Sequence, residues 1–311
     1  MSSVIGVISP GLGRIVDRPW SPALALTLAA LLWSGNFVAG RALRAQVDPL
    51  TLNFARWLIA LVILAPFVWR DVRANFSAMA REWRLLLALA ATGIAAFHTL
   101  TYLALETTTA TNALLILSTA PMAILLGATT IGAERPHARQ VIGIGISVAG
   151  AAILIARGDL RAAGGTAFNP GDLWMCASVV LWAAYSLLLR RRPPDLPHGV
   201  AFAGSIAIAV CLMAPLVAWR AGTPLSAFAS LPILVATSYM ALFASVIAFL
   251  FWSVGVARLG PTRAGQFINL MPLFGAALAL PVLGEVPHPP QVAGAVLVLG
   301  GIALVQARSR A

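Results

Sequence analysis

Residues 136–150 read Pro-His-Ala-Arg-Gln-Val-Ile-Gly-Ile-Gly-Ile-Ser-Val-Ala-Gly, and residues 287–301 read Pro-His-Pro-Pro-Gln-Val-Ala-Gly-Ala-Val-Leu-Val-Leu-Gly-Gly. Pro136, His137, Gln140, Gly143 and Gly150 thus return as Pro287, His288, Gln291, Gly294 and Gly301. The same register extends upstream, at offsets of 149 to 151. Leu32-Trp33 falls on Leu181-Trp182, Arg41 on Arg190, and Ala65-Pro66 on Ala214-Pro215. Tyr102 falls on Trp252, Pro121 on Pro272, and Glu134 on Glu285. Leu and Ala match often by chance in such a chain. Trp, Pro, Glu, His and Gln in one near-constant register do not. The chain reads as an internal duplication, a common signature of transporters.

Composition says what is duplicated. Of 311 residues, 60% are hydrophobic and 10% charged, against about a quarter charged in soluble domains. So few charges could not cover a soluble surface. A cytosolic enzyme, a disordered chain and a small disulfide scaffold are excluded, which leaves a polytopic membrane protein. The spacing of apolar runs predicts ten transmembrane helices, over about 22–41, 50–69, 84–105, 109–131, 138–156, 171–190, 199–219, 232–256, 262–283 and 290–307. The expected organisation is a cytoplasmic segment (1–21), a first five-helix repeat (22–157) and an outer linker (158–170). A second repeat (171–307) and a cytoplasmic tail (308–311) follow. Residues 1–20 carry Pro10, Gly11, Gly13, Arg14 and Arg18 and no long apolar core, so no secretory signal is expected there.

The net charge is +11, and every basic residue is Arg. These arginines sit between apolar runs rather than in one basic domain, which excludes nucleic acid as the partner. With the N-terminus in the cytoplasm, fifteen fall in inner segments and five in outer ones, so both termini are expected inside. Five spans per half is an odd number. The second half then enters from the opposite side, giving an inverted pair whose substrate site lies near the midplane between the halves.

No catalytic or phosphate-binding motif is present, and no enzyme activity, cofactor or metal is expected. None of the ten acidic residues falls at the centre of a span. That argues against a proton-driven drug antiporter, which needs a buried carboxylate for which proton and cation compete. His98 lies mid-span, either as a cavity or proton-responsive group or as a neutral histidine bonded between helices. His137, His198 and His288 fall in connections. Arg56 lies about two turns inside the second span and is expected to snorkel to the interface or to backbone carbonyls. Cys176 and Cys211 are expected as buried small hydrophobes. Trp20, Trp69, Trp83 and Trp219 mark span ends, as interface aromatics do.

Polar and aromatic residues recur inside the first, third, fourth, sixth, eighth and ninth spans. They suit a planar, partly apolar cargo whose rings stack and whose polar ends are oriented by amides and hydroxyls. The candidates are Trp33, Asn36, His98, Tyr102, Trp182, Tyr185, Tyr239, Trp252, Gln266 and Asn269. Interhelical glue is the competing reading for each. The fourth span also offers Thr111, Asn112, Ser118 and Thr119. Pro121 and Pro272, at equivalent positions, are candidate hinges or structural kinks. The fifth and tenth spans are rich in Gly, Ala and Ser and read as packing struts.

In these features the chain resembles the drug/metabolite transporter superfamily, of its ten-helix EamA type, over about 22–307. The resemblance rests on Trp33-Ser34-Gly35-Asn36-Phe37, on Phe54-Ala55-Arg56 and on Pro121 followed by Gly132-Ala133-Glu134-Arg135. It rests equally on Asn269-Leu270-Met271-Pro272 followed by Leu283-Gly284-Glu285. Trp182-Ala183-Ala184-Tyr185 is most similar to bacterial exporters of aromatic amino acids. The resemblance implies a multi-pass bacterial inner-membrane exporter of amino acids or related metabolites, with a central cavity and peripheral fifth and tenth helices. The four-helix relatives carry an essential Glu in their first helix. Ser34, Gly35 and Asn36 stand in that region here, so their proton coupling does not carry over. The expected function is facilitated export of an aromatic or hydrophobic amino acid by alternating access. The alternative is another small metabolite or a cationic drug, with proton coupling. Two complementary halves make a whole carrier, so a monomer in the lipid bilayer is the expected unit.

Overall fold

The computed structural model describes residues 21–107, 110–132, 137–155, 170–220, 222–283 and 289–306. The expectations for residues 1–20 with Trp20, for Glu134, Arg135 and Pro136, and for the linker at 158–169 lie outside them. So do those for Glu285, Pro287 and His288, for the tail and for the side chains of Thr111 and Asn112. Among the described residues the backbone is helical, with no strand.

Six helices are long and apolar enough to cross a bilayer. They are α1 (Pro22–Leu43, preceded by Ser21), α2 (Pro49–Ala74), α3 (Trp83–Thr107), α6 (Pro170–Leu189), α7 (His198–Arg220) and α8 (Leu231–Leu259). The fifth and tenth expected spans are α5 (Ala138–Ile155) and α10 (Pro289–Gln306). The fourth and ninth are interrupted. α4a (Ala110–Leu117) and α4b (Ala120–Thr130) are separated by a turn at Ser118 and Thr119. α9a (Pro261–Gly265) and α9b (Met271–Leu283) are joined by a 3-10 turn over Gln266–Leu270.

Both breaks have one cause. Pro121 and Pro272 each occupy the second residue of the following helix, where a missing N–H leaves no bond unmade. Instead of kinking a continuous helix, each proline starts a new one. At the first break, hydroxyls take up nearby carbonyls. Ser118 Oγ donates to Leu114 O at 2.9 Å and Thr119 Oγ1 to Ile116 O at 2.6 Å.

Packing follows the duplication. α1 lies against α8, and its counterpart α6 lies against α3. α2 packs on its own counterpart α7, and α5 on α10. The halves therefore interdigitate. Between α2 and α7 the contact is fastened at both ends. At one end Thr223 N donates to Asp48 Oδ2 at 2.8 Å, and Asp48 N donates to Thr223 Oγ1 at 2.9 Å. Asp48 also caps α2, accepting from Thr51 N. Burial pushes its carboxyl up, but the hydrogen bonds from Thr51 and Thr223 outweigh that and hold it below the ordinary value. At the other end Arg81, in the short helix Phe76–Arg81, bridges to Asp195 in the α6–α7 connection.

α3 and α8 share an irregularity that the sequence does not announce. Each carries a π-helical stretch, Ala90–Ala96 in α3 and Met240–Ile247 in α8, at positions equivalent under the duplication. A π-turn leaves carbonyls short of partners, and side chains complete them. Asn53 of α2 donates to Ile94 O and Ala95 O at 3.1 and 3.0 Å. Trp33 Nε1 of α1 donates to Ala244 O at 2.9 Å, and Ser245 Oγ to Met240 O at 2.8 Å.

Two expectations fail on one point: apolar does not mean buried when the outer surface can face lipid. Cys176 and Cys211 are exposed on the outside of α6 and α7. Trp69, Trp83 and Trp219 are exposed as well, as interface aromatics would be.

The α5–α10 pair meets backbone to backbone. A Cβ on Gly301 would lie 2.5 Å from Gly143 O and 2.8 Å from Ser147 N, and one on Gly150 would lie 2.7 Å from Gly294 O. Main-chain atoms cannot swing aside as a side chain would. Gly301→Val is expected to cost about 1–3 kcal/mol, the usual scale of overpacking. It should lower the melting temperature of the detergent-purified protein, whereas Gly300→Val, where a Cβ meets open space, should leave it unchanged.

Candidate functional site

The largest departure from the sequence reading is Arg56. It does not snorkel. Its side chain is fully buried and turned into the centre of the bundle. Nε donates to Ser245 Oγ of α8 at 2.9 Å. Nη1 donates to Asn36 Oδ1 of α1 at 3.0 Å and to the Tyr102 hydroxyl of α3. Nη2 lies 3.3 Å from His98 Nε2. A guanidinium has only donors, so this His98 nitrogen must accept, and the imidazole is the neutral tautomer protonated on Nδ1. Tyr102 in turn donates to Asn36 Oδ1 at 3.2 Å. Trp57 lies under the guanidinium, its ring centroid 5.1 Å from Cζ.

All four partners are neutral. No Asp or Glu is buried among the described residues, and none pairs with Arg56. Neutral acceptors satisfy the geometry of the guanidinium without balancing its charge.

Beside this polar knot stands an aromatic cluster. Trp33 meets Trp182 edge-on at 5.1 Å and Phe249 at 5.4 Å. Trp182 lies 4.8 Å from Phe97, 5.1 Å from Trp252 and 5.5 Å from Tyr185. The Trp57 ring closes on Phe249 at 5.2 Å. Glycine makes room for part of it, since a Cβ on Gly93 would strike the Tyr185 ring at 2.2 Å. These edge-to-face and tilted arrangements are those aromatic pairs prefer.

A small cavity lies where knot and cluster meet. Trp33, Asn36, Phe97, His98, Thr101 and Trp182 line it, with Phe37, Leu117, Ile268 and Met271. Its lining side chains leave room for about one water.

The ten candidates divide accordingly. Trp33, Asn36, His98 and Trp182 line the cavity. Tyr102 belongs to the Arg56 knot, and Tyr185 and Trp252 to the aromatic cluster. Gln266 and Asn269 are fully buried in the 3-10 turn, outside the cavity lining, while their neighbours Ile268 and Met271 reach it. Tyr239 is not brought in. It is half-buried, and its hydroxyl ties α8 to α1 through Leu32 O at 3.0 Å. The candidate set lacks Arg56, Phe97 and Phe249. Ionisable side chains inside a span are a signal in themselves, and that signal could have placed Arg56 with His98.

Comparison with known proteins matches this architecture. A family model described as the EamA-like transporter family matches residues 20–156 and again residues 169–307. An uncharacterized transporter of Archaeoglobus fulgidus is 28% identical over 92% of this chain and 97% of its own length. A probable terminal-alkyne amino-acid exporter of Streptantibioticus cattleyicolor is 29% identical over 92% and 93% of the two chains. One solved crystal structure shares the fold with a TM-score of 0.74, at 23% identity over 92% of this chain and 96% of that one. The chain belongs to the EamA-like transporter family.

The knot and the cluster predict different responses to substitution. Asn36→Leu removes an acceptor from a buried cation and is expected to cost about 1.5–3 kcal/mol, the range for hydrogen bonds to charged groups. Trp33→Phe loses the bond to Ala244 O and is expected to cost about 1 kcal/mol. Trp182 Nε1 has no partner, so Trp182→Phe should lose less than Trp33→Phe. Thermal unfolding of the three purified variants checks the order.

Proposed function

We propose that this EamA-family chain exports aromatic or other hydrophobic amino acids across the bacterial inner membrane. Transport is facilitated, by alternating access through the chamber between the two repeats. The carrying observation is the chamber's two-sided chemistry. Six aromatic side chains (Trp33, Phe97, Trp182, Tyr185, Phe249 and Trp252) pack together beside the polar group of Asn36, Arg56, His98 and Tyr102. A cargo with a ring at one end and a polar group at the other matches both. The similarity to a probable amino-acid exporter supports the same class.

Alternating access would widen this narrow cavity. A cavity with room for about one water cannot hold an amino acid, so loading requires the halves to part. The interruptions at Ser118–Thr119 and Gln266–Leu270 adjoin the cavity through Leu117, Ile268 and Met271. We assign Pro121 and Pro272, beside these interruptions, the hinge role, with small backbone rotations there opening the cavity. Facilitated rather than proton-driven transport is supported by the one buried formal charge among the described residues being positive. A cationic drug would meet repulsion there.

Purified protein in proteoliposomes, with no imposed ion gradient, should show saturable tryptophan flux above protein-free vesicles. Folded protein without flux would contradict the proposal. His98→Ala and Tyr102→Ala should each lower that flux several-fold while leaving folded protein, judged by size-exclusion profile. Unchanged flux in both would remove the polar knot from the transport site.

A further inference from the structure

From the charge at its centre we infer that the chamber selects cargo by a carboxylate, and that an α-ammonium group is dispensable. The cargo class would be monocarboxylates with an aromatic or apolar body, amino acids being one case. The inference rests on the chamber being the transport site.

Two independent observations carry it. The first is the balance of charge. Arg56 is fully buried and cannot shed its proton, yet the four groups that meet it are all neutral. They engage four of its five N–H groups. A buried cation is stabilised when a counter-ion arrives, and guanidinium and carboxylate match as a planar fork. Asn36 and His98 both touch the guanidinium and both line the cavity. A carboxylate entering from the cavity therefore reaches Arg56 by taking their places.

The second observation is the set of polar atoms left without partners. The orphaned amide oxygens Asn53 Oδ1, Gln266 Oε1 and Asn269 Oδ1 lie on residues outside the cavity lining, whereas the orphans of the aromatic cluster are Trp57 Nε1, Trp182 Nε1 and Trp252 Nε1, all at most 2% exposed. Each is an N–H that can only donate. His98 Nδ1, protonated by the tautomer argument, is a fourth. The Gly93 and Ile94 carbonyls of its own helix are near but outside hydrogen-bond geometry. On the cavity lining itself the orphaned atoms are Trp182 Nε1 and His98 Nδ1, both donors, and they call for an acceptor on the cargo. An ammonium group would bring more donors and a second positive charge, with no buried Asp or Glu among the described residues to receive it.

The charge series decides this without any variant. Indole-3-acetate, tryptophan and tryptamine share one ring system and carry charges of −1, zero and +1. Binding to the wild-type protein in nanodiscs, read as ligand-induced thermal stabilisation in a sulfate background, should be at least about tenfold tighter for indole-3-acetate than for tryptamine. Tryptophan should fall between. In proteoliposomes, indole-3-acetate flux should respond to an imposed membrane potential and tryptophan flux should not. Arg56→Gln should abolish the preference for indole-3-acetate over tryptamine, and Arg56→Lys should retain part of it.

Tryptamine binding as tightly as indole-3-acetate would overturn the inference and leave an aromatic cargo standing. Failure of all three indoles with binding of 4-methylpentanoate would overturn the aromatic reading and keep the carboxylate. Failure of every carboxylate would overturn the inference. So would the same stabilisation by chloride alone, since Arg56 would then hold an inorganic anion.

Discussion

Among the described residues a single positive charge, buried without a negative one, organises the centre of the bundle. Removing Arg56 from water is costly, and the fold meets part of that cost with acceptors from three helices. Ser245 comes from α8, Asn36 from α1, and Tyr102 and His98 from α3. Ser245 is available because the π-turn in α8 directs its hydroxyl between Met240 O and the guanidinium. The matching π-turn in α3 is fixed by Asn53, one helical turn before Arg56 on the same helix. Irregular backbone and buried charge are thus one construction, with α2 at its middle.

Duplication supplied the scaffold, and divergence supplied the chemistry. The pairs α1–α8 and α6–α3 are equivalent, as are the helix interruptions and the π-turns. Trp33 and Trp182 are an equivalent pair lining the centre, but the side chains around them are not equivalent. Where the first half has Asn36 and Tyr102, the second has Tyr185 and Trp252. His98 corresponds to Ala248, and Arg56 to Ser205. The first half holds the cation and most of its partners, and the second adds Tyr185, Phe249 and Trp252 to the rings of Trp33 and Phe97. A symmetric carrier would offer a cargo the same surface twice. This one offers one end of a molecule hydrogen bonds and charge, and the other end ring faces.

The duplication was legible because it rests on residues that rarely coincide by chance, such as Pro121 with Pro272 and Gln140 with Gln291. Long apolar runs placed α1, α2, α3, α6, α7 and α8 to within a few residues, since length and hydropathy govern spanning helices. Arg56 was misread because its nearness to a helix end suggested escape to the interface. Which way a side chain faces depends on how helices pack, and sequence spacing does not give that. Cys176 and Cys211 were misread for the related reason that lipid tolerates apolar side chains as well as a core does. Tyr239 carries the same residue type as a cavity aromatic, yet it serves as a helix tie. The π-turns left no sequence signal, and the side chains that complete their carbonyls, Trp33 and Asn53, reach them from other helices.

The central claim is that a cargo carboxylate completes the charge of Arg56. Solid-state NMR tests it most directly, by a dipolar distance between carboxyl-¹³C indole-3-acetate and guanidinium-¹⁵N arginine in lipid, with Arg56→Lys protein as the blank. The account predicts a contact of about 4 Å, as in a bidentate guanidinium–carboxylate pair, lost in the blank. A bound ligand showing no such contact, or one that persists in the blank, would contradict it.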